Sequence, residues 1–359
     1  MFTDPNHTQQ VLRVALVTPF VYGLGVVAGT PLPFVSAMLF STFTLKMRTP
    51  PPFAVVLVLT LSMTLLPLAF AGISDVLSQY PYLMVGFVVL VLFHAFRLQS
   101  VPKMAIFGVL LQTFAIMLPM ATGESELAGE ALAGAFAVNG VMAFSGLYLA
   151  FALFPERSVA ERAAPQPPGP EDPLDRTRNA AVAALVMLPV FSMLLTFSLS
   201  SAMRVLFTIA IVLTSLSRRD ARETGAESVL SAILAGAVAV AFSVLYTLWP
   251  QPGAALLSMA FLGLLVVPRA FAGRNQGAVA LAIPLVWVLI GTAEGNTLSK
   301  TLEWCLYSII GVVYAVWARE LILSTLGWRS AFPRPPKHIG DDRKTWSFRS
   351  TQMGSQRRE

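Results

Sequence analysis

Long apolar stretches separated by short polar or proline-marked breaks make up most of this chain. Residues 49–74, 104–123, 179–203 and 228–268 contain no charged side chain. Each is long enough for one or two membrane-crossing helices of about 20 residues. They are apolar on every face, whereas a transmembrane β-strand would alternate over about ten residues. The breaks predict helices over 11–28, 32–46, 53–72, 82–97, 103–120 and 130–154, then 179–197, 203–217, 227–248, 253–270, 275–291 and 301–324. Turn-forming residues mark several breaks, as in Gly29-Thr-Pro-Leu-Pro33 and Trp249-Pro-Gln-Pro-Gly253.

One interruption is far longer than the others. Residues 155–178 hold six prolines and nine charged side chains. So little apolar surface cannot offset the entropy of ordering, and the stretch predicts a flexible linker. The expected organisation is therefore a six-helix transmembrane repeat over 1–154, a cytoplasmic linker over 155–178, a second six-helix repeat over 179–325 and a basic cytoplasmic tail over 326–359. The fold class is an all-α integral membrane protein with twelve transmembrane helices in two parallel repeats.

Charge placement gives this count a direction, because Lys and Arg concentrate in cytoplasmic loops. With the N-terminus inside, Arg13, Lys46, Arg48, Arg97, Lys103, Arg218, Arg219, Arg222, Arg269, Arg274 and Arg319 all fall on the cytoplasmic side, with the linker arginines and the tail. Only Arg204 and Lys300 fall outside, among acids such as Asp75, Glu124 and Glu294. Both termini are then cytoplasmic and the halves share one orientation, as in a parallel repeat. At an offset of 170 or 171, Pro19 meets Pro189, Arg48 meets Arg219, Thr122 meets Thr292, Glu124 meets Glu294 and Gly140 meets Gly311. The second helix of each half is short and follows a tight connection, a pattern that points to a transport site or to a tilted surface hairpin.

Composition agrees with a membrane setting. Of 359 residues 55% are hydrophobic and 12% charged, against about 25% charged in soluble domains, and the mean hydropathy is +0.69. The net charge of +6 is scattered between apolar runs, which argues for topology over nucleic-acid binding. The single Cys305 excludes an internal disulfide, and His7, His94 and His338 lie in separate segments without ligand spacing, so neither metal nor other cofactor is expected. No Gly-Lys pair exists to form a phosphate-binding loop. Paired acids or a His-Asp constellation at catalytic spacing are likewise missing from the sequence, and the chain is not expected to be an enzyme.

Six helices, a cytoplasmic connection and six more helices, with an Arg opening the first helix (Gln10-Val-Leu-Arg13) and a Gly-x-Pro turn before an aromatic (Gly29-Thr-Pro-Leu-Pro-Phe34), resemble the fusaric acid resistance and aromatic acid exporter superfamily, in its compact bacterial branch. The resemblance implies export of aromatic or other hydrophobic carboxylic acids across a bacterial inner membrane, often beside a periplasmic adaptor protein. Larger members carry a folded domain where this chain has its linker.

Candidate residues each have two readings. Arg13 and Arg178 either attract carboxylates into a cytoplasmic vestibule, with Arg97 and Arg269, or merely set topology. Arg204 defies the charge bias beside a short helix, as a substrate contact or a side chain reaching the headgroups. Phe20, Phe34, Trp287 and Trp304 are candidates to line an apolar path or to face lipid. His94, Asp75 and Glu303 are candidates for proton coupling; otherwise His94 is structural and the two carboxylates are simply solvated. Gln112 and Asn139 suit interhelical hydrogen bonds. Small residues every fourth position, including Ser228, Ala232 and Gly236, suit close helix packing within the chain or in a homo-oligomer. Expected partners are a small organic acid and membrane lipids, the basic tail lying along the anionic inner leaflet.

Overall fold

The computed structural model describes residues 5–47, 49–101, 104–155, 173–199, 202–214, 218–271, 275–292 and 296–326. Most of the expected linker, the tail beyond Leu326, Arg48, Lys103, Arg274 and Glu294 lie outside these residues. Among the described residues there is no strand. Helix α1 is continuous through Pro5–Leu12, a π-helical Arg13–Val17 and Thr18–Val27. It is followed by α2 (Phe34–Lys46), α3 (Phe53–Ser78), α4 (Pro81–Gln99), α5 (Ala105–Glu124) and α6 (Glu126–Leu153). The second set comprises α7 (Pro173–Thr196), α8 (Met203–Leu213), α9 (Arg218–Leu248), α10 (Pro252–Val266 with a last turn Pro268–Phe271), α11 (Gln276–Thr292) and α12 (Thr297–Thr325). Nine of the described helices are long and apolar enough to cross a membrane, and α2, α8 and α11 are shorter apolar helices. The chain is an all-α, multi-pass membrane protein.

Several boundaries differ from the predicted ones for local reasons. Helix α6 starts at Glu126 because the Ser125 side chain accepts the Ala128 N–H and caps it. Helix α7 takes in Pro173–Arg178, which the composition places in the linker; proline is tolerated at a first helical position. Helix α9 begins at Arg218 instead of 227, and α8 stops at Leu213 instead of 217.

The two first helices end alike. Gly29 has φ +64° and Ser198 φ +51°. At α1, Gly29 N–H bonds Val26 O and Thr30 N–H bonds Gly25 O; at α7, Ser198 N–H bonds Leu195 O and Leu199 N–H bonds Leu194 O. Both are left-handed caps that satisfy the last carbonyls. Each leads into a short helix, α2 or α8.

Corresponding helices also pack alike. The third helix of each set, α3 or α9, lies against the fifth and sixth, and the second helix, α2 or α8, lies against the sixth. The sets are joined by α4 against α7, by α10 against α1 and by α2 against α11. Two pairs break the correspondence: α2 lies along α11, whereas its counterpart α8 only touches α5, and the fourth and fifth helices differ as well. Helix α4 runs closely along α5, where Gly108 admits the Ala95 carbonyl, 2.6 Å from where a β-carbon would sit. Helix α10 instead stands off from α11 and packs on it mainly through its last turn, Pro268–Phe271.

Lipid supplies no hydrophobic drive between helices, so close approach and hydrogen bonds hold the bundle. Gly236 admits Thr301 of α12 against α9, and Gly146 admits Val21 of α1 against α6. Asn139 Nδ2 donates to Pro31 O at 2.7 Å and Gln99 Nε2 donates to Gln112 Oε1, as the intramembrane placement of Asn139 and Gln112 predicts. Tyr314 Oη donates to Val186 O at 3.0 Å, tying α12 to α7. Such bonds contribute roughly 0.6 kcal/mol each. Outward, Phe53, Leu57, Leu61, Leu65 and Leu68 form an exposed stripe along α3, a surface matched to lipid chains.

Candidate functional site

The site begins with a proline. Pro19 has no N–H to return to the Ala15 carbonyl, the partner an α-helix would give it. The helix shifts to π form over Arg13–Val17 immediately before it. The Ala15 carbonyl oxygen then lies 3.2 Å from where a β-carbon on Gly263 of α10 would sit. Here α1 and α10 touch. Around this contact a small apolar void of about 40 Å³ is walled by Val14, Pro19, Val267 and Ile283.

Farther along α1 the helices diverge and a cavity of about 440 Å³ opens between α1, α9, α10, α11 and α12. This volume lies within the range of small-molecule sites, about 300–1,000 Å³. It occupies the end of the bundle where α1 and α9 finish and α10 and α12 begin. The stand-off of α10 from α11 leaves the space.

Aromatic rings form its base: Tyr22, Phe242 and Tyr246 line it, and Trp287 and Phe34 lie behind them. Tyr22 lies 5.4 Å from Trp287 with the ring planes at 39°, and Phe242 stacks on Tyr246 at 5.9 Å and 23°. Trp287, Phe242, Met259 and Ala37 are one buried cluster, with Tyr22 and Phe34 packed on it. The Phe34 ring occupies the space left by the missing β-carbon of Gly291. Hydroxyls edge the cavity. Ser243 Oγ and Thr297 Oγ1 share a hydrogen bond of 2.6 Å between α9 and α12, and Thr247 Oγ1 donates to Ser243 O at 2.8 Å. Among the described residues no charged side chain lines this cavity. The arrangement can hold a flat apolar body against the rings and offer a polar end the one hydroxyl proton that the Ser243–Thr297 pair leaves free.

Of the residues singled out from sequence, Phe34 and Trp287 come together in the buried cluster behind these rings, and neither lines the cavity itself. Phe20 does not: it is 51% exposed and points away from the cavity, since the two-residue step to Tyr22 turns about 200° around the helix. Trp304 lies outside the lining and packs on Ala235, Ala239, Ala282 and Leu289, with the Arg204 guanidinium over its ring at 5.2 Å. Arg13 is fully buried instead of facing an open vestibule. Its Nε donates to Phe154 O at 2.8 Å and its guanidinium lies 4.1 Å from the Phe151 ring centre, closing the C-terminus of α6. Arg178 pairs loosely with Asp175 at 3.9 Å, and Arg97 and Arg269 are exposed at the ends of α4 and α10.

The proton-coupling candidates are dispersed. His94 is exposed, with Nδ1 2.8 Å from Leu90 O of its own helix and its ring edge-on to Phe93. Asp75 is half-buried near the end of α3, and Glu303 pairs with Lys300 at 3.0 Å. None of the three lines the cavity. Tyr22, Phe242, Ser243, Tyr246 and Thr297 were not singled out. Phe242 and Tyr246, four residues apart on α9, carried a usable signal as an aromatic pair on one helical face.

Comparison with known protein families, curated proteins and solved structures finds no match for the chain.

Proposed function

We propose that this protein is a secondary exporter of aromatic or other amphipathic organic acids in a bacterial inner membrane, with twelve spans in two parallel six-helix repeats and both termini cytoplasmic. The observation that carries the reading is the cavity of about 440 Å³ with an aromatic base and a hydroxyl edge. The matching caps at Gly29 and Ser198 and the matching helix pairs support the repeat. In this topology the cavity opens on the outer side, as a releasing state of an exporter would.

The rings take the cargo's apolar body, and the hydroxyl proton that the Ser243–Thr297 pair leaves free meets its carboxyl group. An organic monoanion leaving an inside-negative cell gains about 2.3 kcal/mol per 100 mV, enough to drive export with or without proton exchange. The test is transport of benzoate and larger aromatic acids by the purified chain in proteoliposomes, with imposed potential and pH gradients. Movement with saturation is the expected result, and Tyr22→Ala, which removes a ring that lines the cavity, should weaken it roughly tenfold through lost ring contacts. If neither gradient moves any aromatic acid and none binds, the proposal fails.

A further inference from the structure

A guanidinium buried between α8 and α12 lacks the counter-charge that such a group requires. Arg204 is 7% exposed. Its Nε donates to Ser308 Oγ at a long 3.3 Å, while Nη2 is buried without a hydrogen-bond partner. Arg204 makes no ion pair among the described residues. Glu303, five residues before Ser308 on α12, is already held by Lys300 at 3.0 Å.

A second orphan stands one turn along. Thr208 is fully buried and its Oγ1 has no partner, although helical threonines ordinarily donate to the carbonyl four residues back, as Thr301 does to Thr297. Both side chains face α12. Arg204 reaches Ser308 and Trp304, and the Thr208 β-carbon lies 2.9 Å from where Gly311 would carry one. Arg204 also sits in the first turn of α8, where the helix dipole adds positive potential. One long hydrogen bond and a ring contact recover only part of what a cation loses on burial.

We infer that Arg204 Nη2 and Thr208 Oγ1, between α8 and α12, hold a small monovalent anion, either a halide or a carboxylate group. A multiply charged ion would leave charge uncompensated in this buried site. The site is separate from the cavity, since neither Arg204, Thr208 nor Ser308 lines it. The inference therefore stands or falls independently of transport.

Trp304, with its ring centre 5.2 Å from the Arg204 guanidinium carbon, supplies the readout. The full chain in detergent is titrated with sodium chloride, bromide or acetate at constant ionic strength against bulky sodium isethionate. Saturable bromide quenching, absent in Trp304→Phe, and a saturable rise in Tm with chloride or acetate are expected. Arg204→Gln should abolish both, and Thr208→Val should weaken binding about tenfold, as for one charge-assisted hydrogen bond. Response to halides alone marks an inorganic anion, and competition between acetate and bromide marks a site that also takes carboxylates; both outcomes uphold the assignment. Responses no different from isethionate, or fully retained in Arg204→Gln, overturn it. Should Arg204→Gln fail to fold, unchanged affinity in Thr208→Val overturns it equally.

Discussion

At Gly291 the absence of a single carbon lets the Phe34 ring of α2 pack on the buried aromatic cluster behind the cavity. Because Phe34 fills the position a β-carbon would take, Gly291→Ala forces the ring or the helix aside. Overpacking of this kind costs about 1–3 kcal/mol, to be seen as a lowered Tm of the purified protein together with weaker binding of aromatic acids. Arg13 acts on stability at another point. Removing it in Arg13→Ala strips the Phe154 carbonyl of its 2.8 Å donor at the end of α6, with an expected loss of about 1.5–3 kcal/mol in denaturant unfolding. Residue type was readable where chemistry alone decided it, as for the intramembrane Asn139 and Gln112. Phe20 against Tyr22 was not readable, because α1 is apolar nearly all round and its sequence carries no phase to say which ring turns inward.

Among the elements, the caps of α1 and α7 give a paired prediction. Gly29 and Ser198 share the left-handed conformation, which a β-carbon disfavours. Gly29→Ala should therefore destabilise by about 1 kcal/mol, whereas Ser198→Gly should be neutral or stabilising by up to about 1 kcal/mol. Opposite signs in thermal unfolding of the two variants check the shared geometry; equal signs would dissolve it. The helices themselves were legible because apolar runs and proline breaks are strong signals, and the short second helix of each set stood out for the same reason. Their ends were less so. Ser125 as a cap, Pro173 as an opening residue and the charged turns at the start of α9 extend helices into segments that composition alone assigns to loops. The π-turn before Pro19 was beyond sequence, since a proline announces a disturbed helix but not the form the disturbance takes.

For the molecule as a whole, the contact of α1 with α10 joins the two sets of helices at the foot of the cavity. A β-carbon on Gly263 would lie 3.2 Å from that of Ala15, near the ~3.5–4.5 Å separation of a disulfide. In a Cys305→Ala background, Ala15→Cys with Gly263→Cys should cross-link under mild oxidation. With a protease site placed between residues 156 and 172, the cut halves should then migrate together in denaturing gels until reduced. Failure to cross-link would mean that α1 and α10 do not meet. The division into two sets was visible in the long polar interruption. The cavity was not, because it depends on α10 standing away from α11 where its counterpart α4 lies close to α5, and nothing in two similar apolar stretches announces which will splay. On the repeat reading, that inequality has an evolutionary consequence. A gene duplication begins with two equivalent grooves; once one has sealed and the other has stayed open, the sealed copy serves as scaffold, and on the proposed export function any change of cargo falls to the open copy alone.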